Sequence, residues 1–67
     1  MRITIELADG VEMYQDNPAN GREVYGEMSE DGKHYHVRTY QNDVCVTEDI
    51  FPTHRVGKIS IVSPEGI

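Results

Sequence analysis

The chain has 67 residues, with 12 Asp and Glu against 6 Lys and Arg, which gives a formal net charge of −6 at pH 7. A chain this short forms one domain, residues 1–67, near the lower size limit for folding on a hydrophobic core alone. The single cysteine, Cys45, excludes an intrachain disulfide and fits a reducing compartment. Without a signal-peptide core or an apolar run of membrane-spanning length, a soluble cytoplasmic protein is expected.

Apolar and polar residues alternate from the start of the chain, over residues 2–7, and this predicts a first strand. The Asp9-Gly10 dipeptide is typical of a two-residue hairpin turn, so a second strand should follow directly. In that second strand we expect Val11 and Met13 to point inward and Tyr14 to point outward.

The run from Asn20 to Met28 carries the clearest structural signal. Asn20-Gly21 tolerates the positive φ values of a tight reversal, so Gly21 is assigned a structural role in a turn. Gly26 lies inside the alternating segment that follows, which predicts a sharp bend or a close backbone approach. One face of this strand is expected to hold Val24, Gly26 and Met28, and the other Glu23, Tyr25 and Glu27.

The second half of the chain repeats the strand pattern. Residues 34–40 alternate again, and Val44 with Val46 starts another strand. Residues 47–52 predict a single helical turn, because Thr47 can cap it and Pro52 stops it. A last strand follows with Ile59, Ile61 and their neighbours, before a frayed tail at residues 63–67.

Short, regular strands of this kind favour an all-β fold, a small, strongly bent barrel of SH3-like or Sm-like type. We expect five to six strands, with one short helical turn before the last strand. The core is so small that association through free strand edges should stabilise the protein, and we predict a homo-oligomer. The predicted core consists of Ile3, Ile5, Leu7, Val11, Met13, Val24, Met28, Tyr35, Val37, Val44, Val46, Ile50, Phe51, Val56, Ile59 and Ile61.

Three segments of residues 20–62 resemble the Sm-like RNA-associated barrels. The run from Asn20 to Met28 is similar to the first signature segment of that family, in which a turn glycine precedes a strand of the form apolar-x-Gly-x-apolar. The run from Asp31 to Val37 lies where the family places its next strand. The stretch from Val56 to Val62 is similar to the family's last strand.

This resemblance implies a ring of bent barrels, joined through edge strands, that holds RNA near its pore. Asp31 and Tyr35 would correspond to positions that contact bases, and Arg55 and Lys58 would approximate the basic segment before the last strand. The first functional hypothesis is therefore a non-enzymatic Sm-like module associated with RNA or an RNA–protein assembly. It requires Tyr35 to be available for stacking. It also requires the cations to converge on one surface: Arg22, Arg38, Arg55 and Lys58.

The second hypothesis is an acidic interaction module that docks on a basic protein surface. Two similar segments each place a tyrosine between two acids: Glu12, Tyr14 and Asp16 in one, and Glu23, Tyr25 and Glu27 in the other. Tyrosine is enriched in binding hot spots, and carboxylates around it steer basic partners toward it. Carboxylates at alternate strand positions, roughly 6.6 Å apart, would also imitate phosphates, as in phage-type inhibitors that mimic nucleic acid. The alternative is cross-strand tyrosine packing that only stabilises a sheet.

Metal binding and catalysis find little support in the sequence. His34 and His36 share a strand face, and with Cys45 and His54 they would be chemically adequate for zinc, but their spacing matches no strong motif. Neither a metal nor a cofactor is expected. A phosphate-binding loop, a nucleophile elbow and an H-E-x-x-H motif are all missing, so we expect no enzyme activity.

Overall fold

Six β-strands make up most of residues 1–63, which are the residues that the computed structural model describes. The strands are β1 (Arg2–Leu7), β2 (Gly10–Gln15), β3 (Arg22–Met28), β4 (His34–Gln41), β5 (Val44–Pro52) and β6 (Val56–Val62). The all-β prediction is confirmed, because the only helical segments among these residues are two short 3-10 turns. Among the same residues, none of the helical segments has the length and apolar character needed to span a membrane. Apart from Ser63, the predicted frayed tail lies outside the described residues.

The strands form two antiparallel three-stranded sheets, ordered β2-β1-β6 and β3-β4-β5. No strand of one sheet is paired with a strand of the other in the part of the chain described, so the predicted closed cylinder is not formed by the hydrogen-bond ladders. The segment between β2 and β3 carries the chain from the first sheet to the second, and its one β-bridge joins Asn17 to Arg22. The two sheets meet instead through the side chains of their inner faces.

The first hairpin reverses the predicted faces of β2. A two-residue turn places Leu7 opposite Gly10, so odd-numbered residues of β1 share a face with even-numbered residues of β2. Ile3 therefore lies opposite Tyr14, and both point toward the core. The expectation that Val11 and Met13 point inward is wrong: both side chains are 61% exposed.

The buried core is smaller than predicted. Its five members are Ile3, Ile5, Val24, Tyr35 and Val37. Partly buried apolar side chains pack around them: Met1, Leu7, Tyr14, Phe51, Val56 and Ile59. Seven predicted core residues are instead exposed: Val11, Met13, Met28, Val44, Val46, Ile50 and Ile61. Many of these lie on β2, β5 and β6, each of which forms an edge of its sheet and so has a neighbouring strand on one side only.

The predicted helical turn is displaced along the chain. Residues 47–52 belong to β5, and the helical turn before the last strand is the 3-10 turn Thr53–Arg55. β5 pairs with β4 from Val44 to Pro52, with one irregularity in register between Thr39 and Tyr40. Cross-strand pairing along this whole length outweighs the weak local signals for a helix.

The two glycines assigned structural roles act in different ways. Gly21 has φ of +78°, the left-handed conformation that ends the 3-10 turn Pro18–Asn20. Gly26 lies in β3, where the buried ring of Tyr35 crosses the backbone. A Cβ atom at Gly26 would overlap the hydroxyl oxygen of Tyr35 and lie 2.8 Å from its Cζ. Gly26 thus allows a core ring to lie close to the backbone of β3. A close backbone approach is one of the two roles that its position inside a strand predicted.

Candidate protein-binding face

The outer side of the β3-β4-β5 sheet collects aromatic and charged side chains. The register places Glu23 opposite Tyr40, Tyr25 opposite Arg38, and Arg38 opposite Glu48. Residues that lie opposite each other share a face, and this face points away from the buried Val24 and Val37. We call this surface the tyrosine face and define it by Glu23, Tyr25, Glu27, His36, Arg38, Tyr40 and Glu48.

Two tyrosines form the aromatic centre of this face. The ring centroids of Tyr25 and Tyr40 are 5.5 Å apart, and the ring planes are inclined at 85°, an edge-to-face contact. The Tyr25 hydroxyl donates a hydrogen bond to Glu23 Oε2 at 2.9 Å. This hydrogen bond, followed by the charge of Glu23, raises the pKa of Tyr25 above its ordinary value. The side chain of Tyr25 is 48% exposed, so the ring remains accessible to a partner.

Arg38 is held between two carboxylates on the neighbouring strands. Its Nε donates to Glu48 Oε2 at 2.7 Å, and its Nη1 donates to Glu27 Oε1 at 3.0 Å. His36 Nδ1 lies 3.4 Å from the same Glu48 oxygen. The hydrogen bond from Arg38, followed by that from His36, holds the pKa of Glu48 below its usual value. The guanidinium is thus committed to partners within the sheet.

A shallow depression of about 410 Å³ lies beside the tyrosine pair. Its lining consists of Glu23, Tyr25, Arg38, Tyr40 and Asp43. Asp43 belongs to the turn between β4 and β5, in which Asn42 and Asp43 both have positive φ, as tight hairpin turns require. Counting Asp43, four carboxylates on and beside the tyrosine face accompany one guanidinium. The lining of the depression itself combines two aromatic rings, two carboxylates and one guanidinium.

The tyrosine strip predicted from Tyr14 and Tyr25 does not form. Tyr14 faces inward and packs edge-on against Phe51, with ring centroids 6.4 Å apart and an interplanar angle of 73°. Burial, followed by the charge and hydrogen bond of Asp49, raises the pKa of Tyr14 above its ordinary range. The prediction that Tyr14 is a surface binding residue is wrong, because the register of β2 places it opposite the buried Ile3. Glu12 is exposed, but it lies on the other sheet.

Asp16 has a structural role that the sequence did not predict. Its carboxylate accepts hydrogen bonds from the Met1 ammonium at 2.7 Å and from the Val24 N–H at 2.8 Å. Burial alone would raise the pKa of Asp16, but these hydrogen bonds outweigh it and hold the pKa below the ordinary value of 3.8. The side chain thereby links the residue that precedes β1 to β3.

Replacing Asp16 by asparagine should lower the free energy of unfolding at neutral pH by about 1.5–3 kcal/mol, the range for hydrogen bonds to a charged group. A lowered folded-state pKa contributes stability above the unfolded-state pKa, and this contribution is lost as the pH falls through the folded-state pKa. The difference between wild type and Asp16→Asn should therefore shrink below pH 3.8. Urea unfolding at pH 7 and in strong acid measures this difference in the free energy of unfolding.

Asp9→Asn is the control, because Asp9 is exposed and its Oδ2 lies 4.0 Å from Arg55 Nη2. Its free energy of unfolding should differ little from that of wild type. A loss of stability in Asp16→Asn that did not depend on pH would contradict this account.

The residues proposed for RNA contact lack an exposed aromatic ring. Tyr35 is only 5% exposed, so its ring is not available for stacking, contrary to expectation. Asp31 lies in the β3–β4 turn, where its Oδ1 accepts hydrogen bonds from Ser29 Oγ at 2.6 Å and Lys33 N at 2.9 Å. Arg55 follows β5, with its Nη2 4.0 Å from Asp9 Oδ2.

The four cations that the RNA hypothesis places on one surface are distributed over both sheets. Arg38 belongs to the tyrosine face, whereas Lys58 lies on β6 opposite Glu6, in the other sheet. Arg22 begins β3 and borders a separate hollow with Asp16. A continuous basic groove is therefore not present in the described part of the chain.

The side chains considered for zinc are also separated. No group of three or more His, Cys, Asp or Glu side chains with the arrangement of a metal site occurs within residues 1–63. His34 and His36 share one side of β4, and His36 approaches Glu48. Cys45 is exposed on β5, with its Sγ 3.5 Å from the Thr47 carbonyl oxygen. His54 lies in the 3-10 turn after β5.

Sequence reasoning missed Tyr40 and Asp43 as members of the candidate site. The alternation of β4 does place Tyr40 outward, but its partnership with Tyr25 depends on the β3–β4 register. Glu48 was assigned to a helical turn, which hid its position opposite Arg38.

Comparison of the chain with known protein families, with characterised proteins and with solved structures finds no significant match.

Proposed function

We propose that the protein is a non-enzymatic, acidic interaction module that docks its tyrosine face on a basic protein surface. The observation that carries this proposal is the edge-to-face pair of Tyr25 and Tyr40, set among carboxylates on a regular sheet. Cross-strand packing accounts for the contact between the two rings, but it does not require the acids on either side.

The physical chemistry of the face suits a basic partner. Tyrosine supplies a large, stiff contact surface with a polar tip, and few rotatable bonds need to be immobilised on binding. The net charge of −6 steers positively charged surfaces toward the protein and repels phosphate backbones. A groove that normally binds nucleic acid is one such surface. In its most specific form, the proposal is therefore that this protein is an inhibitor that mimics nucleic acid and occupies such a groove.

The face is also organised before binding. Glu23 is hydrogen-bonded to Tyr25, and Glu27 and Glu48 are hydrogen-bonded to Arg38. Preorganised side chains lose less conformational entropy on association, which favours affinity. The charge of Arg38 is offset by its two carboxylate partners, so it opposes a cationic partner only weakly.

A second candidate is the Sm-like module in a ring on RNA, on a small bent barrel of SH3-like or Sm-like type. Two features support it. Gly26 allows the backbone of β3 to lie close under the Tyr35 ring, and β5 forms a sheet edge with exposed Val44, Val46 and Ile50. Such an edge is suited to pairing with a second copy of the chain, which would give a homo-oligomer. The buried Tyr35 ring and the separated cations weigh against RNA as the ligand.

Charge reversal at two matched positions tests the first proposal. Glu23→Lys and Glu30→Lys change the net charge equally, but Glu30 lies in the β3–β4 turn, away from the tyrosine face. The measurement is a calorimetric titration with a short peptide rich in lysine and arginine. Loss of an attractive site and gain of a like charge should weaken binding by about tenfold or more for Glu23→Lys, and much less for Glu30→Lys.

Two results would count against this function. Equal weakening by both variants would mean that binding follows net charge and not the tyrosine face. Salt-sensitive binding of single-stranded RNA, with a ring-sized particle in light scattering, would favour the second candidate instead.

A further inference from the structure

We propose that the corner between Tyr25 and Tyr40 receives an arginine side chain of the basic partner. This inference rests on the proposed function and names the group that the site recognises. The two ring planes are nearly perpendicular, at 85°, so the rings form two walls of the depression beside them. The carboxylate-bearing residues Glu23 and Asp43 also line it.

The lining matches both properties of a guanidinium. Its flat, delocalised cation is attracted to the negative face of an aromatic ring, and arginine makes such contacts more often than lysine. Its N–H groups form short, charge-assisted hydrogen bonds with carboxylates. Tyr25 and Tyr40 supply the rings, and Glu23 and Asp43 supply the acceptors.

The acceptors are not neutralised by cations of the chain itself. Within residues 1–63, neither Glu23 nor Asp43 takes part in an ion pair. The nearest cation in the lining, Arg38, donates to Glu27 and Glu48 instead. Arg38 lies opposite Tyr25 on β4 and lines the same depression, with its Nε and Nη1 turned to those two carboxylates. The carboxylates of Glu23 and Asp43 are therefore available to a cation from a partner.

The volume of the depression suits a long, flat side chain rather than a whole folded element. At about 410 Å³ and open to solvent, it accommodates one guanidinium with part of its alkyl stem. The apolar stem can then lie along a tyrosine ring while the charged head reaches the carboxylates.

A set of three peptides tests the inference. Glycine-spaced peptides carrying arginine, lysine or citrulline have the same length, and citrulline keeps the shape of arginine without its charge. The arginine peptide should bind at least about threefold more tightly than the lysine peptide, the scale of one cation–π contact. The citrulline peptide should show no saturable binding. Chemical shifts of the Tyr25 and Tyr40 ring protons, followed by NMR, should change with the arginine peptide, change less with the lysine peptide and stay constant with the citrulline peptide.

Variants at Tyr40 separate the ring from the hydroxyl. Tyr40→Phe keeps the aromatic face and should retain the preference for arginine, whereas Tyr40→Leu should abolish that preference. Thermal unfolding of both variants shows whether the sheet is intact, and Tyr25→Leu provides a second variant if Tyr40→Leu does not fold.

The outcomes distinguish this inference from the function on which it rests. If the lysine and arginine peptides bind equally and Glu23→Lys still weakens both, the interaction module stands and the arginine corner is refuted. If none of the peptides binds, both proposals fail.

Discussion

Replacing Gly26 by alanine should cost the protein a large part of its stability. The added Cβ would overlap the Tyr35 hydroxyl and lie 2.8 Å from Cζ. Tyr35 is 5% exposed and belongs to the five-residue core, so the ring cannot move aside without opening that core. Overpacking of this kind costs about 1–3 kcal/mol. For a domain of this size, each kcal/mol lowers Tm by about 4–8 °C, so Gly26→Ala should lower it by roughly 5–20 °C.

A double-mutant cycle with Tyr35→Phe identifies the cause of this loss. The Tyr35 hydroxyl is buried and has no hydrogen-bond partner within the described chain. Tyr35→Phe removes this buried hydroxyl, which is costly to bury without a hydrogen bond. The substitution alone should therefore raise the free energy of unfolding by about 1 kcal/mol. In this background the clash of Gly26→Ala is reduced, so the two substitutions should show a favourable coupling energy in urea unfolding.

Gly10→Ala is the matched control for Gly26→Ala. Gly10 also lies in a strand, but a Cβ atom there meets no atom within 4 Å. Its φ is not in the left-handed region, so alanine should be neutral or slightly stabilising through the unfolded state. If Gly26→Ala were as well tolerated as Gly10→Ala, the close packing of Tyr35 on β3 would be wrong.

Ile5→Ala should have the second large effect on stability. Ile5 is 0% exposed and lies in β1, the central strand of its sheet. Truncating a buried isoleucine to alanine costs about 2–5 kcal/mol, through lost transfer free energy and the cavity that remains. A single core of this size supplies about 3–5 kcal/mol in all, so much of the variant should be unfolded at room temperature. Circular dichroism with urea titration measures this, and Ile5→Val gives a milder variant if Ile5→Ala does not fold.

Ile61→Ala is the control for Ile5→Ala, because the chemical change is the same. Ile61 lies opposite Ile3 on the edge strand β6 but is 56% exposed, so its truncation should cost less than about 1 kcal/mol. If Ile61→Ala were as costly as Ile5→Ala, the assigned burial would be incorrect for the protein in solution. If the loss of unfolding free energy in Ile61→Ala increased with protein concentration, self-association would cover Ile61.

The local pattern predicted part of the candidate site. Alternation along β3 and β4 placed Glu23, Tyr25 and Glu27 on the surface, because successive side chains of a strand point to opposite faces. It could not pair Tyr25 with Tyr40, since this contact depends on which residues of the two strands lie opposite each other. Register is set by turn geometry and by the buried face together, and neither is visible in a single strand.

The errors have the same origin. Tyr14 was placed outward because its strand was considered alone, whereas the two-residue turn after β1 requires it to share a face with Ile3. Residues 47–52 were assigned a helical turn from a capping threonine and a terminating proline. In the structure, residues 47–52 continue the strand that begins at Val44, and the whole strand β5 has nine residues. They adopt this conformation because β4 pairs with β5 along its whole length.

By itself, the sequence determined that this protein is made of short strands with tight turns, since period-two alternation and turn dipeptides act over a few residues. Only the tertiary structure decided that the strands form two three-stranded sheets, that Tyr35 is buried over Gly26, and that the tyrosine face holds Tyr25 and Tyr40. These features depend on contacts between residues distant in sequence, whose free energies are of the same size as the local preferences they override.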